Sequence, residues 1–268
     1  MNSYAYFDGV LQSELPLPEL LPGHSSQASF GIEILFGGPP KSLQPALLHR
    51  WIDEEGEVEL ELLGGEDRYQ LTVPGVVSTT MDFRASQLMV TPLCDDESLL
   101  REQLIDQVLP RIMSTYSPLV MHASGVTKAG KTLAFAGNSG AGKSTIAAHF
   151  QQAGWELLTD DCLKVSLSDN NVVACGAYPG LKLLPDRSEQ VNSAGAFDSP
   201  NVQSFSKCRS LQASSQPAAR ALSAMVFIEP HATSFKLEEQ AGAGVLLEMM
   251  KQTFAFNPSD IEAAARRL

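Results

Sequence analysis

The stretch that most constrains how this chain can fold is TLAFAGNSGAGKSTIAAHF, residues 132–150. The apolar run from Thr132 to Ala136 has the length and composition of a buried strand. It leads into Gly137, Asn138, Ser139, Gly140, Ala141, Gly142, Lys143 and Ser144, which fit GxxxxGK[ST], and then into a helix over Thr145–Phe150. Strand, glycine loop and helix in that order make a phosphate-binding loop. The glycines let backbone N–H groups converge on phosphate oxygens with no Cβ in the way, and the helix N-terminus adds partial positive charge. Residues Gly137 through Thr145 are therefore the expected nucleotide contacts, with Lys143 placed for the β- and γ-phosphates and the Ser144 hydroxyl for Mg²⁺.

The flanks of this loop carry the other polar candidates. Seventeen residues past Lys143, the run WELLTDDCLKV reads as an apolar strand ending in Asp160 and Asp161. A nucleotide enzyme of this type needs a carboxylate near Mg²⁺, and a kinase also uses one that accepts the proton of the acceptor hydroxyl. Adjacent carboxylates at a strand end can supply both. Upstream, SPLVMHASGVTKAGKTLAFAG places an apolar strand up to Met121, then His122, then a hairpin-like connection into the loop strand. A lone histidine on a strand is more often a structural residue than a site residue.

Charge separates the chain into two regions. Its 268 residues carry a net charge of −12, with 5 basic and 18 acidic side chains in residues 1–110 and 14 basic and 13 acidic in residues 111–268. A net acidic protein is a poor nonspecific binder of nucleic acid or anionic membrane. Neither is an expected partner. The four cysteines show no CxxC pair or metal-ligand spacing, and read as reduced thiols. No apolar run approaches the ~20 residues of a membrane span, and the N-terminus MNSYAYFDGV lacks the charged and apolar parts of a leader, so the expected location is cytoplasmic.

The first region alternates apolar and polar residues. ASFGIEILF, EVELELL and RYQLTV each end at a glycine or proline turn, which predicts strands with one wet face in an antiparallel sheet or small sandwich. Asp95, Asp96 and Glu97, followed by an apolar stripe to Ile112, start a helix that Pro110 should kink or end. Residues 187–220 read as a long loop. Within or beside it, Lys182, Lys207, Arg209 and Arg220 are candidate anion contacts, with a solvated surface cation the favoured reading of each. An apolar strand follows Arg220, and residues 243–256 and 258–268 read as helices.

Taken together, these residues resemble the catalytic domain of HPr kinase/phosphorylase, in which a histidine strand, a GxSGxGKS loop and an ADD-type strand end follow one another. Here His122 precedes Gly137 by 15 residues and Lys143 precedes Asp160 by 17, in the same order. The resemblance implies an α/β fold, a PEP-carboxykinase-like P-loop kinase domain over 117–268. A small β-rich N-terminal domain over 1–94 and a connecting helix over 95–116 precede it. It implies ATP and Mg²⁺ as cofactors, Lys143, Asp160, Asp161 and His122 as the catalytic set, and Ser144 and Asp161 as metal ligands. Asp160 is then the leading candidate base, and a homo-oligomer is implied. The resemblance stops short of two family properties. Thr145 stands where these kinases usually carry glutamate. AYPGLKLLPD replaces their E-[IV]-R-G-L-G stretch, which is associated with phosphorolysis and HPr binding. That variant looks like the divergent kinases found beside peptide and natural-product gene clusters. The expected activity is transfer of a γ-phosphoryl group to a hydroxyl, first of all a serine of a peptide or protein. A small-molecule hydroxyl such as serine or a sugar, and a nucleotide-binding regulatory module without catalysis, are the alternatives.

Overall fold

Period-two alternation dominates the N-terminal region, and there the chain forms a sheet. The computed structural model describes residues 1–23, 28–38, 46–65, 67–117, 119–183, 202–203, 208–211, 218–229 and 236–260. It divides into two compact units, Met1–Tyr116 with Ala255–Arg267, and Ser117–Phe254. The architecture is mixed α/β, with separate sheets in the two units.

The first unit contains strands β1 (Asn2–Tyr6), β2 (Gly9–Ser13), β3 (Gly31–Phe36), β4 (Ala46–Ile52), β5 (Val58–Gly65), β6 (Arg68–Val73), β7 (Val77–Asp82) and β8 (Gln87–Pro92). They form one sheet in the order β1-β2-β3-β8-β7-β6-β5-β4. On β5, Leu60 and Leu62 are buried while Glu59 and Glu61 lie on the wetter face, as the alternation requires. The sheet is not wholly antiparallel: β2–β3 and β3–β8 are parallel pairs. Connections long enough to carry the chain back to the starting end permit this, and residues 14–30 and 37–86 provide them. Alternation reports the face of a strand and says nothing of its neighbour.

The predicted helix is three segments in continuous succession. Asp96 caps α1 (Glu97–Gln103) by accepting from the Ser98 and Leu99 amides at 2.9 and 3.0 Å. A π-helical turn, Leu104–Val108, follows, and then α2 (Leu109–Tyr116). Pro110 neither ends the helix nor leaves a buried carbonyl unmet. The wider turn carries the Leu109 amide to the Leu104 carbonyl, and the Tyr6 hydroxyl donates to the Ile105 carbonyl at 3.3 Å. In a five-residue repeat that carbonyl would face the N–H that proline lacks. The chain also returns to this unit late. Phe256 is buried against Tyr69 and Phe83, with ring centroids 5.2 and 5.4 Å apart.

The second unit holds β9 (Leu119–Met121), β10 (Ala123–Lys128), β11 (Lys131–Ala136), α3 (Lys143–Gln152), β12 (Glu156–Thr159), β13 (Leu163–Ser168) and β14 (Asn171–Gly176). These are followed by β15 (Gly180–Leu183), β16 (Val202–Gln203), β17 (Cys208–Leu211), β18 (Arg220–Phe227) and α4 (Ala243–Lys251). Seven strands form one sheet, β12-β10-β11-β18-β14-β13-β9, and three form another, β15-β17-β16. Met121, Ala123, Ala134, Ala136, Leu158 and Leu163 share one buried cluster although they come from opposite ends of the larger sheet. The sheet must therefore curl over on itself. A second cluster, with Val126, Phe135, Ala147, Ala148, Leu157 and Leu181, seats α3.

Of the expected loop over 187–220, residues 202–203 and 208–211 are short strands, and 187–201, 204–207 and 212–217 lie outside the described residues. The helix expected over 258–268 lies outside them from residue 261 onward. Cys94 is a free thiol, Cys162 and Cys175 are buried, and the side chain of Cys208 falls outside the description. No helix among the described residues is long and apolar enough to cross a membrane.

Candidate functional site

Strand register decides what stands beside the glycine loop. β10 pairs antiparallel with β11, so Ala123 lies opposite Ala136 and the loop departs next to His122. β10 also pairs with β12, Gly125 opposite Thr159, and β9 pairs with β13, Met121 opposite Leu163. The chain thus passes from β9 to β10 through His122, and from β12 to β13 through Asp160, Asp161 and Cys162. These two crossings run side by side because their flanking strands pair with each other. The His122 Nε2 atom lies 3.6 Å from Asp161 Oδ1, an ion-pair distance when the imidazole is protonated. Asp160 is 1% exposed and Asp161 is half-buried.

A bulge and a glycine shape the carboxylate corner. The β10–β12 register shifts between Gly125 and Val126, so Leu158 is an extra residue that bends β12 just before Asp160. A Cβ on Gly176 would lie 2.2 Å from the Leu158 carbonyl oxygen, so β14 can approach β12 there only as glycine. Thr159 Oγ1 donates to the Cys162 carbonyl at 3.1 Å and closes the turn around the two aspartates.

The loop itself has the backbone of an anion cradle. Gly140 and Gly142 take φ of +78° and +102°, and a Cβ at either position would meet nothing within 4 Å. The conformation requires glycine, and the space over the loop is open. Gly137 is held from the other side, since its Cβ would come within 2.9 Å of the Ile228 carbonyl. No side chain caps α3 at Gly142, which leaves the start of the helix to the loop. Lys143 is 6% exposed, and its Nζ donates to the carbonyls of Gly137 at 2.7 Å and Asn138 at 3.1 Å. The cation is thus folded against the loop it serves. Ser139 and Gly140 are exposed at the crest, and Ser144 and Thr145 are half-buried in the first turn of α3.

These features suit a polyphosphate and a hard divalent cation. Among the described residues no three His, Cys, Asp or Glu side chains form a metal cluster. A hydroxyl and one or two carboxylates beside a phosphate cradle are nevertheless the donor set Mg²⁺ takes, since it completes its shell with water and phosphate oxygens.

The structure gathers Gly137–Thr145, His122, Asp160 and Asp161 at one end of the sheet and leaves the outlying basic candidates elsewhere. Because β18 runs parallel to β11, Arg220 begins at the Thr132 end and Phe227 reaches the Ala136 end. At ~3.3 Å per residue that puts Arg220 roughly 23 Å of strand away from the loop. It lines a separate cleft of about 230 Å³ with Lys128, Gly154 and Glu156. Lys182 and Arg209 are register partners in the small sheet, with side chains outside the description, and Lys207 lies outside the described residues.

Sequence reasoning missed two polar partners of the site. The Ser124 hydroxyl, fully buried, donates to the Lys143 carbonyl at 3.2 Å. Gln252 donates from Nε2 to Asn138 Oδ1 at 3.2 Å, and its own carbonyl accepts the His122 amide at 2.7 Å. No periodicity or spacing marks a contact between positions 138 and 252.

Comparison with known proteins adds remote structural likeness and nothing closer. No protein-family model matches the sequence, and no curated protein matches it. Among solved structures, the chain is similar to the HPr(Ser) kinase/phosphatase from Coxiella burnetii. The TM-score is 0.30 and the identity 11%, over 55% of this chain and 86% of that one. A likeness this remote carries neither residue roles nor activity across.

Proposed function

We propose that the chain is an ATP- and Mg²⁺-dependent kinase of the HPr-kinase-like type, transferring a γ-phosphoryl group to a hydroxyl, foremost that of a peptide or protein serine. What supports this reading is the convergence, at one sheet end, of a glycine-loop cradle with its lysine and of a buried aspartate beside a second aspartate and a histidine. The backbone amides of Gly137–Thr145 and the Lys143 ammonium would bind the phosphates. Ser144 and Asp161 would hold Mg²⁺, which when bound supplies charge neutralisation between the β- and γ-phosphates. Asp160 would accept the hydroxyl proton as the acceptor oxygen bonds to the γ-phosphorus and the bridging P–O bond to the departing ADP breaks. His122, beside Asp161, would hold that carboxylate in place.

Labelled ATP offered with separate peptide and metabolite pools tests the activity and the acceptor class. Label confined to metabolites would replace the peptide acceptor with a small molecule, and nucleotide binding without transfer to either pool or phosphate release would leave a regulatory module. Full activity in Asp160→Asn would overturn the assignment of the base.

A further inference from the structure

The chain that leaves α4 is fixed from both sides before it reaches the loop. Thr253 Oγ1 donates to the Met249 carbonyl at 2.7 Å, and the Gln252 amide donates to the same carbonyl at 3.1 Å, closing the helix end. Beyond it, the segment meets β9 through an isolated antiparallel bridge. Thr253 bridges Met121, and the Phe254 amide donates to the Val120 carbonyl at 2.7 Å. With its backbone so held, Gln252 has its side chain buried, the residue being 7% exposed. A buried amide needs a partner, and Asn138 provides it. Both groups are primary amides, so the bond survives if both are turned over.

Asn138 is where this tie enters the loop. Its carbonyl accepts Lys143 Nζ at 3.1 Å and the Ala141 amide at 3.1 Å, so its orientation sets both the lysine and the loop crest. The Gln252 carbonyl meanwhile holds the His122 amide at 2.7 Å. One residue thus joins the two parts of the site, by side chain to the glycine loop and by backbone to the histidine crossing. We infer that Gln252 is a positioning residue that holds the phosphate-binding loop in its nucleotide-ready conformation and in fixed register with His122. This rests on the reading of the loop as a nucleotide site and adds to it a residue outside the motif.

Gln252→Met keeps length and apolar stem and removes the amide; Asn138→Ala removes its partner. The full chain is compared as wild type, each single variant and the double variant, with thermal unfolding confirming that each is folded. Two quantities are read: the Kd of a fluorescent ATP analogue with Mg²⁺, and amide hydrogen exchange over residues 137–146 without nucleotide. Losing one net hydrogen bond should weaken nucleotide binding about fivefold and speed loop exchange by a similar factor. The β13–β14 hairpin should keep its protection. In the Asn138→Ala background, Gln252→Met should add nothing further to either quantity. Wild-type loop exchange in Gln252→Met, or independent addition of the two effects, overturns the inference. If the wild type binds no nucleotide, the proposed function falls, and the exchange cycle still decides whether Gln252 holds the loop. Should Gln252→Met not fold, Gln252→Leu enters the same cycle.

Discussion

The two units handle charge in opposite ways. The first carries most of the acid, and places it on sheet faces and at the rim of helices, where Arg50 meets Glu61 at 2.7 Å and Arg68 meets Asp82 at 2.9 Å. Its one deeply placed carboxylate among the pairs described, Glu19, is matched by Arg101 at 2.9 Å. The second unit is nearly neutral, yet it buries Lys143 and Asp160 where strands break, beside a glycine loop open to solvent. Charge on a regular strand is solvated or paired, and its effect on stability is local. Charge at a strand break is held in low dielectric at a place the backbone leaves open, and there it can act on a ligand.

The same chemical change in the two units should expose this difference most clearly. Asp160→Asn should lower phosphoryl transfer by about 1000-fold or more while leaving nucleotide binding largely intact, as loss of a catalytic base does. Lys143→Ala should abolish transfer and weaken binding as well. Labelled-ATP transfer and analogue titration separate the two. Glu19→Gln should do the reverse. It should leave transfer unchanged and destabilise the first unit by about 3 kcal/mol, the low end for breaking a buried pair, because Glu97 still lies 3.6 Å from Arg101. Denaturant unfolding reads that loss, and a Glu19→Gln protein that keeps its stability but loses transfer would dissolve the contrast.

Gly176→Ala tests the corner between the two aspartates and β14. Its Cβ would meet the Leu158 carbonyl at 2.2 Å, and relieving that overlap should cost about 2 kcal/mol in stability and displace the aspartates, so transfer falls along with the denaturation midpoint. The smallest effect belongs to the first unit. The Ala85 amide, then the Arg68 guanidinium, hold the Asp82 carboxyl below its ordinary value of 3.8. A depressed folded value means that this contribution is complete above the unfolded pKa and is lost as pH falls through the folded one. Asp82→Asn should therefore slightly flatten the acid side of the stability–pH curve below about pH 4 and leave neutral behaviour and transfer untouched.

Much of the local structure was legible from residue pattern. The alternation of EVELELL became β5, the run into Gly137 became β11, and the glycine loop opened α3 as the motif required. Two outcomes were set from elsewhere in the chain. Pro110 was expected to kink or end its helix because a proline removes an N–H; it does not end it, since a π turn and the Tyr6 hydroxyl meet the need. Arg220, for which plain solvation was the favoured reading, begins at the end of the sheet away from the loop because β18 pairs parallel to β11. Neither fact is local.

By itself the sequence determined the glycine loop, because backbone conformation there depends on glycines that follow one another within a few bonds. It also marked Asp160, Asp161 and His122 as candidates, since they belong to short segments around strand ends. Tertiary structure alone decided that the two crossings would lie side by side, that Gly176 would let β14 touch the bent end of β12, and that Gln252 would reach Asn138 across 114 positions. Those relations depend on which strands pair and in what register. A face pattern fixes which side of a strand is buried and leaves the identity of its neighbour to the packing of the whole unit.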